Sequence, residues 1–228
     1  NSKINSDSSF IRINNSFFKN IDLNINNGSF NLNNSVFIKN KNSFYIKNSN
    51  QPIVNNCLLL KSSGFVFINS NNGSLLNNVF YDNENSIIIN NYNGYLKLYN
   101  NIFLNNNIVI NNKDTCQLYI LNNTVDNNNI FFKSDLIKNK KHIISKNNIF
   151  SYNDIIYKIN NVNISNSYCL SNTDSLIGYF NIFKNPLYVD NKNFNFNLKE
   201  SSEALGLGNN NSNIGANIKH IYNIKYIK

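Results

Sequence analysis

An asparagine doublet returns along this chain at nearly constant spacing. The doublets begin at Asn14, Asn33, Asn55, Asn77, Asn100, Asn122 and Asn147, so successive doublets are 19, 22, 22, 23, 22 and 25 residues apart. Each lies between two short apolar runs, as in L-Y-N-N-I-F at 98–103. A fixed period in the twenties is typical of a solenoid, in which each repeat covers the apolar face of its neighbour. The repeat therefore constrains the architecture before any single residue is considered.

One repeat, at 95–112, shows the unit most clearly. Its runs YLKLY, IFL and IVI are β-prone and are separated by asparagine turns. Asparagine tolerates the left-handed conformation that a tight corner requires, and none of the runs is long enough for a helix of 3.6-residue period. Three strands and three corners per repeat predict an all-β parallel β-helix, with about eight coils whose rungs lie roughly 4.8 Å apart. We expect asparagines in matching corners to form hydrogen-bonded ladders from coil to coil.

Composition excludes several other classes of protein. Apolar residues make up 41% of the chain and recur in order, which argues against disorder. The net charge of +9 comes without a dense Lys/Arg run, so we expect a solvated surface and no nucleic-acid partner. The three cysteines are far apart and lack C-x-x-C spacing, which favours a structural role. No apolar run is long enough to span a membrane.

The C-terminal part of the chain carries a more specific set of motifs. It reads N-P-L-Y-V-D at 185–190, F-N-L at 196–198, S-E-A-L-G at 202–206 and N-I-G-A at 213–216. Together with the I-x-N-N-x-F repeat, these motifs make the chain resemble the right-handed parallel β-helix proteins of the pectate-lyase-like superfamily. Many of those proteins end in the motifs D-P-L-F-V-D, F-x-L, S-P-A-I-x-x-G and D-I-G-A, in that order. Asn185 and Asn213 stand where the family has acids, and Glu203 where it has proline. The resemblance covers roughly Phe10 to Ala216 and implies a right-handed β-helix. We predict one such domain over 1–228, with coils at about 10–172, a closing segment at about 173–216 and a basic tail at 217–228.

The resemblance also indicates where a catalytic site would lie. Lyases of this superfamily use Arg or Lys as the base and Ca²⁺ held by carboxylates, on the strand that follows the third corner. Alternation along that strand places Ile25, Ile46, Ile68, Ile89, Ile110, Phe132 and Tyr157 inside. The outward positions after Asn24 then form an apolar stripe of Tyr45, Phe67, Ile88, Val109, Phe131 and Ile156.

Three interpretations of this stripe stay open. It is a contact surface, or it is covered by the tail at 214–228, where isoleucine recurs at Ile218, Ile221, Ile224 and Ile227. Alternatively, the assumed register is wrong, since a slip of one residue exchanges the two faces of a strand.

We predict no catalytic residue and no cofactor from these patterns. The nearest approach to a metal site is Asp82 with Glu84, joined by Asp126 two coils later. Two rungs separate those coils by roughly 10 Å, so one ion would struggle to bind all three. A Ca²⁺ site is expected only if the protein is a lyase.

The expected function is that of an extracellular or cell-surface protein with a structural, adhesive or self-assembling role and no catalysis. A β-helix has open strand edges at its ends unless they are capped, and no amphipathic helix precedes the first strand. The expected partner is therefore the protein itself or another surface protein. The alternatives are a Ca²⁺-dependent polysaccharide lyase or other uronate-acting enzyme, and a glycan-binding module that stacks sugars on Tyr45, Phe67 and Phe131.

Overall fold

The chain folds as a parallel β-solenoid in which three sheets wind around one apolar core. The structure is a computed structural model and describes residues 2–7, 10–90, 93–113, 116–134, 142–159, 163–173 and 176–218. The elements in these ranges are strands and two short 3₁₀ helices, at Asn191–Asn193 and Asn209–Asn211. The prediction of an all-β parallel solenoid is confirmed.

Each coil contributes one strand to each of three parallel sheets, with eight strands in the first sheet and nine in the others. The first sheet contains β1 Ser2–Asp7, β4 Ile21–Gly28, β7 Phe44–Ser49, β10 Phe65–Ile68, β13 Asn85–Asn90, β16 Ile108–Asn112, β19 Ile130–Ser134 and β22 Ile155–Ile159. The second contains β2 Ile11–Asn14, β5 Phe30–Asn33, β8 Ile53–Asn55, β11 Asn71–Leu76, β14 Asn93–Tyr99, β17 Gln117–Leu121, β20 His142–Lys146, β23 Asn163–Ser167 and β25 Gly178–Tyr179. The third contains β3 Phe17–Lys19, β6 Val36–Ile38, β9 Leu58–Leu60, β12 Val79–Tyr81, β15 Ile102–Leu104, β18 Thr124–Asp126, β21 Ile149–Ser151, β24 Leu170–Ser171 and β26 Ile182–Phe183.

The stacking extends further than the sequence indicated at both ends. The first coil was predicted to start near residue 10, but β1 lies before that point and pairs with β4. The last coil was predicted to end near residue 172, but β25 and β26 add a further partial coil after it. The closing segment therefore begins after Phe183. It contains the antiparallel pair β27 Tyr188–Asp190 and β28 Asn195–Leu198.

The corner between the second and third sheets explains the asparagine doublets. One residue per coil there has positive φ, namely Asn15, Asn34, Asn56, Asn77, Asn100, Asn122, Asn147, Tyr168 and Phe180. The following residue points inward. The doublets change register along this corner: Asn56 is the second asparagine of its doublet, whereas Asn77 is the first. From Asn77 onward a doublet thus supplies both the corner residue and the inward residue.

The inward asparagines form the expected ladder. In this first ladder Asn78, Asn101, Asn123 and Asn148 succeed one another coil by coil. The backbone N–H of Asn78 donates to Asn101 Oδ1 at 2.9 Å, and Asn101 Nδ2 donates to the carbonyl oxygen of Leu75 at 2.9 Å. Every buried corner amide therefore meets a side-chain acceptor, which removes the cost of an unpaired polar group.

A second ladder lines the corner between the third and first sheets. It runs through Asn40, Ser62, Asn83, Asn106, Asn128 and Asn153. The same geometry recurs, since the backbone N–H of Asn106 donates to Asn128 Oδ1 at 2.8 Å and Asn106 Nδ2 donates to the Phe80 carbonyl oxygen at 3.0 Å. The two ladders fix two of the three corners of the coil.

The closing segment covers the outer face of the third sheet. Its buried members Tyr188, Phe196, Ala204 and Ile214 form a second apolar cluster with outward residues of that sheet, including Leu58, Val79, Ile102 and Ile149. Gly215 has φ +95, and a Cβ on it would lie 2.5 Å from Ile149 Cδ1. The motifs from 185 to 216 thus form a lid along one side of the solenoid. Ile218 packs on this second cluster, whereas Ile221, Ile224 and Ile227 lie outside the described residues.

Candidate functional site

The predicted contact stripe on the first sheet is largely absent, because four of its six residues lie inside. Phe67 is 1% exposed and pairs in register with Ile46 and Ile89, which are also buried. The prediction had placed Ile68 inside at this coil, but Ile68 pairs with Lys47 and is half-buried. The assumed register was wrong here by one residue, and such a slip exchanges the two faces of the strand.

The other three buried residues of the stripe were placed on the wrong face for a different reason. Val109, Phe131 and Ile156 are at most 6% exposed, yet Ile110 and Phe132, the residues that follow the first two, are buried as well. Two consecutive residues thus face the core where each strand leaves its corner. Strict alternation holds only along a regular strand, and the pairing skips one residue near the start of β16, β19 and β22, where the rule failed.

The outer face of the first sheet carries a mixed row of side chains. The row in register is Asn24, Tyr45, Val66, Ile88, Asn111, Lys133 and Lys158. Tyr45 and Ile88 are half-buried and flank Val66, and Lys47 Nζ lies 5.3 Å from the centroid of the Tyr45 ring. Only Tyr45 and Ile88 of the predicted stripe therefore remain on the surface, as part of a three-residue apolar row.

The three carboxylates considered for a metal do not converge. Asp82 is an exposed corner residue whose Oδ2 lies 3.7 Å from Lys61 Nζ. Glu84 Oε1 accepts a 2.9 Å hydrogen bond from Asn107 Nδ2. Asp126 is buried beneath the closing segment. Among the described residues no group of three or more His, Cys, Asp or Glu side chains could hold a metal ion, and this trio does not fit Ca²⁺, which needs several converging oxygens.

Asp126 is nevertheless the most perturbed carboxyl in the described part of the chain. Burial raises its pKa to about 6 from the ordinary 3.8, against the opposing hydrogen bonds of Ser151 and Asn191. Ser151 Oγ donates to Asp126 Oδ1 and lies 3.0 Å from the Tyr188 hydroxyl. Burial, and after it the charge of Asp126, raise the pKa of Tyr188 well above its usual value. A buried carboxyl, hydroxyl and phenol therefore join the closing segment to the third sheet.

A cleft of about 310 Å³ opens beside Asp126 at the edge of the closing segment. It is lined by Tyr81, Leu104, Asn105, Asp126, Asn127, Tyr152, Asn191, Lys192 and Phe194. The Phe194 ring meets the Tyr81 ring edge-on at 5.2 Å, and Tyr152 is 47% exposed. Aromatic rings beside a perturbed carboxyl and several amides can bind a polar organic ligand. A larger groove of about 490 Å³ lies on the other side of the segment, beside Asn100 and Asn217.

The last coil carries the most exposed apolar patch among the described residues. Ile177 is 80% exposed, Tyr179 75%, Phe180 71% and Phe183 43%. These four residues, named here the terminal patch, belong to the run L-I-G-Y-F-N-I-F at 176–183, which contains no charged residue. They lie in or next to β25 and β26, the edge strands of the second and third sheets, and no described strand pairs with the outer edge of either.

The backbone holds the terminal patch in an unusual conformation. Phe180 has φ +58 and Tyr168, one coil earlier, has φ +53, where the same corner elsewhere uses asparagine. The left-handed region is disfavoured for bulky residues, so two aromatics there mark a strained position. Their rings stack at 5.0 Å, with Lys146 Nζ lying 5.6 Å from the Tyr168 centroid. Strain of this kind persists where the surrounding structure or a function maintains it.

A glycine makes the docking of the last coil possible. Gly178 has φ +139, and a Cβ on it would lie 1.9 Å from the carbonyl oxygen of Asn166 in β23. Any side chain at this position would push β25 away from the solenoid. Gly178 therefore holds the terminal patch against the preceding coil.

One feature of the sequence does indicate this patch. The corner changes from asparagine to aromatic at Tyr168 and Phe180. No comparable signal marks the Asp126 cleft, because its walls come from β12, β18 and a segment that follows them by more than sixty residues.

Comparison with known proteins adds no family to these observations. No family model matches the chain, and no curated protein matches it. No helix in the described ranges has the length and apolar character to cross a membrane.

Proposed function

We propose that the protein is an extracellular or cell-surface structural component that acts by self-association. The observation that carries the proposal is the terminal patch, with four large apolar side chains at two strand edges that no described strand pairs with. An exposed apolar patch at a sheet edge is a ready contact surface. Burying each large side chain is worth about 1.5–3 kcal/mol, so four together approach the cost of docking two molecules.

The rest of the molecule supports a structural role. The two ladders connect successive coils through buried side-chain hydrogen bonds, for example from Asn123 Nδ2 to Asn148 Oδ1 at 3.0 Å. A solenoid whose coils are hydrogen-bonded in this way is a stiff rod, because each coil contacts its neighbours along its whole circumference. The resemblance of the closing motifs to the pectate-lyase-like superfamily supports an exported location.

The test is whether the terminal patch drives association. Ile177→Asp combined with Phe180→Asp places two charges in the patch, and aspartate tolerates the left-handed corner at Phe180. Leu207→Asp is the matched control, since Leu207 is 53% exposed on the closing segment. Sedimentation velocity over a wide concentration range should show association of the wild type and the control, and monomers for the double variant. A wild-type chain that stays monomeric at the highest concentration would refute the proposal.

The cleft beside Asp126 favours a second candidate function, the binding or cleavage of a polysaccharide. Tyr81 and Tyr152 offer rings on which a sugar can stack, and Asn105 and Asn127 offer amides for its hydroxyls. Titration calorimetry with acidic and neutral polysaccharides tests binding, and the appearance of unsaturated product absorbance with Ca²⁺ tests for a lyase. Binding that Tyr152→Ala abolishes would support this candidate, whereas heat changes equal to those of buffer would exclude it for the polymers tried.

A further inference from the structure

The terminal patch has the chemistry of a self-complementary surface. The run at 176–183 carries no charged residue, so the run itself brings no like charges together when two copies of it meet. Asn181, the inward residue after the Phe180 corner, lies beneath the patch, and its Oδ1 accepts from the backbone N–H of Cys169 at 3.1 Å. The exposed side chains of the patch itself are aromatic or aliphatic.

The strand edges at the patch allow pairing with the same edges of another molecule. Among the described strands, β25 pairs only with β23 and β26 pairs only with β24, each on its inner side. A two-fold axis perpendicular to the solenoid would bring the outer edge of β25 against its own copy in antiparallel orientation. Two-fold dimers are the commonest assemblies of soluble proteins, and such contacts require a patch that complements itself.

We propose that two copies of the protein associate tail to tail through the terminal patch, as a closed two-fold dimer. This inference rests on the proposed function and names the partner of its contact surface. In the dimer Tyr179 and Phe180 of each copy pack on the same residues of the other, and the two solenoids point in opposite directions. Because the contact uses the last coil of both copies, association stops at two chains.

Cysteine cross-linking tests this arrangement directly. The chain has three cysteines, and Cys57, Cys116 and Cys169 are all buried, so an added surface cysteine reacts with little background. Near a two-fold axis a residue approaches its own copy, and Tyr179→Cys should therefore form a disulfide-linked dimer on mild oxidation. Leu207→Cys is the control at an exposed position outside the patch and should remain monomeric under the same conditions.

The outcomes separate this inference from the proposed function. A Tyr179→Cys dimer in high yield, with wild-type mass reaching two chains and no more, supports the tail-to-tail dimer. Wild-type association without Tyr179→Cys cross-linking, or association that continues beyond two chains, overturns it while leaving self-association intact. If Ile177→Cys and Tyr179→Cys both stay monomeric and the wild type does not associate, both proposals fail.

Discussion

At the residue scale, the inward asparagines of the two ladders hold successive coils together. Asn101 shows the general case. Its Oδ1 accepts from the backbone N–H of Asn78, and its Nδ2 donates to Leu75 and to Asn123 Oδ1. An inward asparagine thus serves the coils on both sides, which neither serine nor an apolar residue does.

Removing one such side chain should destabilise the fold strongly. Asn101→Ala leaves the buried N–H of Asn78 and the carbonyl oxygen of Leu75 without their partner, and each orphaned buried group costs about 1–3 kcal/mol. We expect urea denaturation to show a loss of about 3 kcal/mol. The control Asn127→Gly, at an exposed left-handed corner, should cost less than about 1 kcal/mol. Equal losses for both variants would contradict the role assigned to the ladder.

Cys57 marks a position where the first ladder is incomplete. It stands one coil before Asn78, and its N–H already donates to Asn78 Oδ1 at 2.9 Å. Its sulfur lies 3.8 Å from the Leu32 carbonyl oxygen, which an asparagine amide would reach as a donor. Burial raises the pKa of Cys57 to about 12, so the thiol stays neutral.

We therefore expect Cys57→Asn to stabilise the protein by about 1 kcal/mol, the net worth of an added buried hydrogen bond. Cys57→Ala, which removes the sulfur and adds no amide, should be less stable than the wild type. Thermal unfolding of the wild type and the two variants measures their order of stability. A midpoint for Cys57→Asn below that of the wild type would show that the ladder ends at Asn78 for steric reasons.

At the element scale, the closing segment makes the stability of the fold depend on pH, because it buries Asp126. Ser151 of the solenoid and Asn191 of the segment hydrogen-bond to its carboxyl group, and its charge raises the pKa of Tyr188. Tyr81, Tyr152 and Lys192 line the adjoining cleft. The folded protein holds the Asp126 proton up to about pH 6, whereas an unfolded chain releases it near 3.8. Between these values the folded state binds more protons, so the contribution of Asp126 to stability falls as pH rises and is lowest above pH 6.

Asp126→Asn should remove this dependence, because asparagine stays neutral. At pH 7.5 we expect the variant to be more stable than the wild type by about 1–3 kcal/mol, and near pH 3.5 the two should be nearly equal. Urea denaturation at several pH values between 3.5 and 7.5 measures the difference. A wild type that becomes relatively more stable as pH rises through this range would mean that Asp126 is stabilised as an anion.

The strands and corners also show which features of the fold the sequence could predict and which it could not. The three-strand coil, the corner asparagines and their ladders follow from local preferences and a regular period, and all were predicted. The side of the strand on which Phe67 lies depends on a register that a single-residue slip reverses. The burial of Asp126 depends on contacts with Tyr188 and Asn191, more than sixty residues away, which no local pattern encodes.

At the scale of the whole molecule, the solenoid is a stiff rod with an apolar end. Nine strands spaced by about 4.8 Å give an axial length of roughly 40 Å for the stacked coils. The proposed association through the terminal patch would extend this rod along its own axis, whereas association through the row at Tyr45, Val66 and Ile88 would thicken it. The two modes therefore differ in shape as well as in the residues they use.

Small-angle X-ray scattering over a concentration series tests the central claim, that the protein is a rod which associates at its end. We predict that the scattering mass rises from one chain to two and then stays constant. The cross-sectional radius of gyration should stay unchanged while the length roughly doubles, from about 40 to about 80 Å along the axis. A cross-section that grows with mass, or a mass that stays at one chain, would contradict the account.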